Sequence, residues 1–156
     1  MTPIKQRVLG AAVAGSIGMA TVLVSHFEGR SLLAYIDPVG IPTICYGSTA
    51  GVKLGQTKTP AECDQLLAGE LGQACASVDR LVVAQMPPAR RAALCSFVYN
   101  VGATAFQGST LRRKLNAGDV RGACAELSRW VYAGGQKLGG LVKRRAAERE
   151  LCEVGA

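Results

Sequence analysis

The chain has 156 residues, a net charge of +7 and 49% apolar residues, which suits one domain with a real core and is too short for two large ones. A single histidine and six cysteines without a C-x-x-C pair argue against a metal cluster, and 5% aromatics with dispersed basic residues argue against a nucleic-acid stacking platform. The positive charge leaves anionic lipid or an acidic wall polymer as the natural partner.

At the N-terminus, Lys5 and Arg7 precede residues 8–25, a stretch without charge that is just long enough to cross a bilayer as a helix. Gly10, Gly15, Gly18, four alanines, Ser16, Thr21 and Ser25 dilute its apolar side chains, so it reads as a weak span. The upstream cations would hold the N-terminus in the cytoplasm and place the following chain outside. A cleaved signal would need a better small-x-small site than Gly18-Met19-Ala20, and a permanent anchor would need more leucine and isoleucine. A weak anchor able to leave the membrane fits the glycine and alanine content best. Ala14-x-x-x-Gly18 would then let the segment pack closely on the body.

From His26 to Thr49 the pattern changes. Leu32, Leu33, Tyr35 and Ile36 are apolar, Asp37-Pro38-Val39-Gly40 is turn chemistry, and Ile41 to Tyr46 is β-branched and aromatic, so a helix end meets a hairpin. Glu28 falls on one element, and Asp37 with Thr43 on the other. Two carboxylates facing across a gap suit glycoside cleavage, although Asp before Pro-x-Gly is equally common as a turn residue. Residues 47–55 read as loop with a third strand as an option.

Thr59-Pro60-Ala61-Glu62 combines an N-cap, a first-turn proline and a capping glutamate. Apolar residues from Cys63 to Val82 then recur at three- and four-residue steps, predicting one long helix to about Val83 that Gly69 and Gly72 weaken locally, leaving room for a bend. Met86-Pro87-Pro88 breaks the pattern. Further helices are expected over Ala89–Val101, Thr110–Asn116 capped by Ser109, Arg121–Tyr132 capped by Asp119 and ended by Gly134-Gly135, and about Leu141–Glu153. Phe106 belongs to a connecting turn. Trp130 reads as core, and Arg112, Arg113, Lys143, Arg144 and Arg145 as a mostly solvated basic face.

Cys45, Cys63, Cys75, Cys95, Cys124 and Cys152 suit disulfides in an oxidising compartment such as the periplasm. Cys124 and Cys152 fall on neighbouring helices and form the favoured pair; the other four are left unassigned.

Glu28, eight residues, Asp37, five residues and Thr43 reproduce the Glu/Asp/Thr pattern of the T-even-phage type of lysozyme, glycoside hydrolase family 24. Residues 96–102 (SFVYNVG), 109–111 (STL), 114–119 (KLNAGD), 140–145 (GLVKRR) and 148–152 (EREL with Cys152) resemble the helical part of the same family. The resemblance covers roughly residues 26–155 and implies an α+β, mainly helical two-lobed lysozyme fold: a small β-hairpin lobe at about 26–58, a connecting helix at about 60–83 and a helical lobe at about 84–156. The weak anchor at residues 1–25 resembles that of the signal-anchor-release endolysins of lambdoid-type phages, which are tethered to the inner membrane before release. Some members regulate themselves through a cysteine in the anchor; none precedes Cys45 here, which points to steric regulation through the nearness of Ser25 to Glu28. Where Ser48 stands the family commonly has His.

The implied chemistry is hydrolysis of the β-1,4 bond between N-acetylmuramic acid and N-acetylglucosamine in peptidoglycan, by a monomer without metal or cofactor. Glu28 would be the general acid, kept protonated by partial burial, while Asp37 and the Thr43 hydroxyl would place water on the opposite sugar face. The resemblance implies inversion, with the carboxyls about 6.5–9.5 Å apart. A tethered wall-binding module without catalysis, a holin-like permeabilising protein and a lytic transglycosylase are the rival readings.

Overall fold

The computed structural model describes residues 2–11 and 15–156. Helix α1 (Pro3–Gly10) starts at Thr2, whose hydroxyl accepts from the Lys5 amide and donates to Glu150 Oε2 at 2.9 Å. Helix α2 (Gly15–Phe27) turns Met19, Ala20, Leu23 and Val24 inward at one- and four-residue steps, the spacing of a single helical face. Among the described residues no helix is long and apolar enough to cross a membrane. The apolar stretch is instead split between two helices that join the core, and α2 runs past Ser25 without a break. Ala14, the first residue of the small-residue stripe, lies outside the described residues.

Strands β1 (Ser31–Ile36) and β2 (Pro42–Cys45) pair antiparallel, with Tyr35 opposite Thr43 and Ile36 opposite Pro42. The turn between them closes on Asp37: its Oδ1 accepts from the Val39 and Ile41 amides at 2.9 and 2.8 Å, and Gly40 takes the left-handed φ of 85° that the reversal needs. Residues 47–55 form loop, and the option of a third strand reduces to two isolated bridges, Ile44 opposite Ser48 and Leu33 opposite Thr57. The hydrogen bonds of the second run from the Ala34 amide to the Gln56 carbonyl and from the Lys58 amide to the Leu32 carbonyl.

Helix α3 (Pro60–Leu81) carries the expected capping box, Thr59 with Glu62, and continues through Gly69 and Gly72 as one helix. Helix α4 (Pro88–Val101) is buried on nearly every side from Ala89 to Val98, because α2, α3 and α8 all pack against it. Short helices α5 (Ala103–Gln107), α6 (Thr110–Asn116) and α7 (Val120–Glu126) follow. Phe106, expected in a turn, is buried in α5 and edge-on to Phe97, which Trp130 also meets edge-on at 5.2 Å.

The helix expected over Arg121–Tyr132 ends early. After a 3-10 turn at Leu127–Arg129 the chain forms a second hairpin, β3 (Tyr132–Ala133) with β4 (Gln136–Lys137). Gly134 and Gly135 are its turn, both with positive φ, the requirement of a tight two-residue hairpin. Helix α8 (Gly139–Cys152) closes the fold.

All six cysteines are paired: Cys45–Cys63 ties β2 to α3, Cys75–Cys95 ties α3 to α4, and Cys124–Cys152 ties α7 to α8. The basic face expected on α6 and α8 is largely a misreading. Arg144 and Arg145 are buried, and Arg112 spends its guanidinium on the Leu81 and Gln107 carbonyls. Arg113 and Lys143 alone of the five are exposed.

Candidate active site

Glu28 follows the last residue of α2, and its amide still donates to the Val24 carbonyl at 2.8 Å. Its backbone is therefore tied to the last turn of α2, whose Met19, Ala20, Leu23 and Val24 are buried. Across from it, Arg144 on α8 donates from Nη1 to Glu28 Oε1 at 2.5 Å; the Glu28 side chain is 30% exposed and that of Arg144 4%. Glu28 and Arg144 line a cleft of about 330 Å³ with Phe27, Asn100, Leu138, Gly140 and Leu141.

A buried polar cluster stands behind this pair. Glu148 Oε1 accepts from Ser96 Oγ at 2.7 Å and from Arg144 Nε at 3.2 Å, while Arg144 Nη2 reaches the Ser96 carbonyl at 3.2 Å. Arg145 Nη1 lies 3.0 Å from Glu148 Oε2, Nη2 bonds Asn100 Oδ1, and the guanidinium sits over the Phe97 ring. Buried charges persist only when paired in this way. Burial pushes the Glu148 carboxyl up despite the opposing pull of Arg145 and Arg144, and burial pulls the Arg145 guanidinium down. The sequence carried a trace of this cluster: Arg144 and Arg145 stand four and three residues before Glu148, positions that meet on a helix.

Asp37 and Thr43 come together on the hairpin through Ile41. The Ile41 amide donates to Asp37 Oδ1, and the buried Thr43 hydroxyl donates to the Ile41 carbonyl at 2.9 Å. Asp37 Oδ2 is left as an acceptor, and the Thr43 oxygen keeps a lone pair for a water proton. Both residues lie outside the cavity that Glu28 lines. Beneath the hairpin, the Tyr46 hydroxyl donates to Asp64 Oδ1 at 2.7 Å. The Tyr99 hydroxyl is 3.1 Å from the Tyr46 carbonyl and 3.3 Å from Glu70 Oε2. Burial, followed by the Glu70 and Glu28 charges, pushes the Tyr99 phenol up, so it stays a donor. Ser48, where the resembled family commonly has His, is buried and exchanges backbone hydrogen bonds with Ile44.

This mainly helical body with small β-hairpins has the fold of solved phage lysozymes. The phage lysozyme family profile matches residues 25–148, and the chain belongs to that family. It is 42% identical over 160 aligned residues to the SAR-endolysin of Enterobacteria phage PA-2, covering 97% of each chain. The endolysin of Escherichia coli O157:H7 phage FAHEc1 superposes with a TM-score of 0.79 at 32% identity, over 88% of this chain and 92% of that one. The active form of the P1 phage endolysin Lyz shares the fold at a TM-score of 0.80 and 24% identity over 97% of this chain and 92% of that one. The secreted inactive form of Lyz gives 0.52 at 24% identity over 68% of this chain and 76% of that one. This chain is thus an endolysin of the phage lysozyme type, a glycoside hydrolase that degrades peptidoglycan for host lysis.

Proposed function

We propose that Glu28 protonates the glycosidic oxygen between N-acetylmuramic acid and N-acetylglucosamine while Asp37 and Thr43 direct a water to the opposite face of the sugar. Attack from that face inverts the anomeric centre. Asp37 Oδ1 is held by two backbone amides, so the carboxylate is oriented before substrate arrives, and Oδ2 takes the water proton. The resulting single displacement requires no covalent intermediate. Release of the α-anomer from a β-linked oligosaccharide, read by proton NMR, tests inversion; a β-product would make Asp37 a nucleophile.

The same reading extends to location. Residues 8–25 hold the newly exported protein at the inner membrane, and residues 26–156 act as a monomeric wall hydrolase in the periplasm after the segment leaves. The observation that carries this is the Glu28–Arg144 ion pair, made across 116 positions of sequence from the end of α2. Glu28 reaches Arg144 because α2 is seated in the core, and a segment still in lipid would keep the glutamate three residues from the bilayer surface. Overlap with the active-form fold of Lyz across nearly the whole chain supports treating the seated arrangement as the released one.

The deciding experiment compares wall lysis by the full-length protein and Glu28→Gln, before and after membrane depolarisation. Lysis only after depolarisation, and only with Glu28, is expected, the variant losing about 10³-fold in hydrolysis. Undiminished lysis by Glu28→Gln overturns the acid assignment. Glu28-dependent lysis before depolarisation overturns the tether.

A further inference from the structure

The exposed apolar surface of this protein is concentrated in one place. Of the eleven large apolar side chains that stand exposed among the described residues, seven lie between Leu32 and Leu54. Leu33 is 56% exposed, Ile36 48% and Val39, at the hairpin tip, 77%. Scattered apolar side chains on a surface need no account, whereas a cluster marks a binding face.

Its charge is equally one-sided. From Gly29 to Ala61 the only acid is Asp37, while Arg30, Lys53 and Lys58 are basic. The segment that carries two of these cations pairs with the apolar strand: the Lys58 amide bonds the Leu32 carbonyl, and the Gln56 carbonyl, at the end of the Lys53–Gln56 turn, accepts from the Ala34 amide. Apolar side chains rimmed by cations are what an anionic lipid interface selects, with partition set by buried apolar area plus attraction to the headgroups. The hairpin also begins four residues after α2 ends at Phe27, so it adjoins the segment proposed to enter the bilayer.

We propose that the β1–β2 hairpin is a second membrane-contacting element, which lays Leu33, Ile36 and Val39 into an anionic lipid surface with Lys53 and Lys58 on the headgroups. This rests on the membrane-proximal location proposed above. While the tether holds, such contact occupies the strand pair that carries Asp37 and Thr43.

The test uses purified full-length protein carrying Val39→Trp, with vesicles of phosphatidylethanolamine and phosphatidylglycerol bearing brominated acyl chains. Bromine should quench the new tryptophan strongly and Trp130 of the parent protein far less. Leu33→Ser with Ile36→Ser, or added salt, should weaken vesicle binding by about tenfold. Cosedimentation of the unsubstituted protein should favour these vesicles over phosphatidylcholine, a readout independent of any variant's folding. Re-entry of residues 8–25 alone would bring protein to vesicles without quenching Val39→Trp, and that result overturns the proposal. So does equal binding to phosphatidylcholine, a hairpin-dependent dimer on sizing without quenching, or hairpin variants that lose wall hydrolysis while binding vesicles normally. The quenching, salt, sizing and cosedimentation readouts do not depend on wall hydrolysis, so failure of the catalytic assignment is seen separately.

Discussion

The helix-borne and hairpin-borne residues of the proposed site are held in place by opposite means. Glu28 is positioned from far away in sequence, by a buried arginine that is itself braced by Glu148 and Ser96. Asp37 and Thr43 are positioned within seven residues of chain, by the amides and carbonyl of their own turn. The place of Glu28 is a tertiary property and that of Asp37 and Thr43 a local one. Anything that unseats α2 should therefore displace Glu28 and leave the hairpin geometry standing, which is the asymmetry the proposed tether would exploit.

Arg144→Leu attacks the long-range side and should have the largest effect. It frees Glu28 and strips Glu148 of one partner, so hydrolysis should fall about 10²-fold. Stability should drop by about 3 kcal/mol, the scale for breaking a buried ion pair, which calorimetry would read as a loss of roughly 6–12 °C in Tm. Full kcat in a destabilised Arg144→Leu protein would break the comparison, because Glu28 would then hold its position unaided.

Removing the Cys45–Cys63 disulfide as Cys45→Ser with Cys63→Ser attacks the other side. The bridge closes a sequence separation of 18, and its loss should cost about 3 kcal/mol. Because the turn supplies its own bonds, hydrogen exchange should rise in β1, β2 and the start of α3 while α4 and α8 stay protected. Uniform loss of protection would mean that the hairpin is not a separate unit of stability. Thr59→Ala is milder: it removes the capping bond to the Glu62 amide, and urea titration should find about 1 kcal/mol less stability.

This division also explains what could be read before the fold was known. Local chemistry was legible: the capping box at Thr59, the caps at Ser109 and Asp119, the Asp37 turn and the Cys124–Cys152 pair each follow from a few adjacent residues or from helix order. Long-range placement was not. Arg144 and Arg145 belong to a run of three cations, which composition assigns to solvent, and their burial depends on Ser96 and Asn100 arriving from α4. The β3–β4 hairpin escaped because its strands are two residues each, too short for alternation to register, and a paired glycine reads equally as a helix stop.

The smallest effect sharpens the contrast between buried and exposed charge. Arg91 on α4 donates from Nε and Nη2 to the two oxygens of Asp79 on α3, at 2.8 and 2.7 Å, yet the Asp79 side chain is half exposed. The hydrogen bonds from Arg91 hold the Asp79 carboxyl below its ordinary value of 3.8. A carboxyl lowered in the folded state adds stability that is fully present above its unfolded value and is lost as pH falls through the folded one. Solvent screening limits the contribution to about 0.5 kcal/mol. Asp79→Asn should accordingly shift the urea midpoint slightly at pH 6 and not at all once the parent's carboxyl is protonated, well below pH 3.8. Added salt should shrink the difference at pH 6, whereas the loss caused by Arg144→Leu should be far less sensitive to salt because Arg144 and Glu148 are buried. A salt-sensitive Arg144→Leu effect would place α8's charges in solvent and undo the distinction between the two kinds of pair.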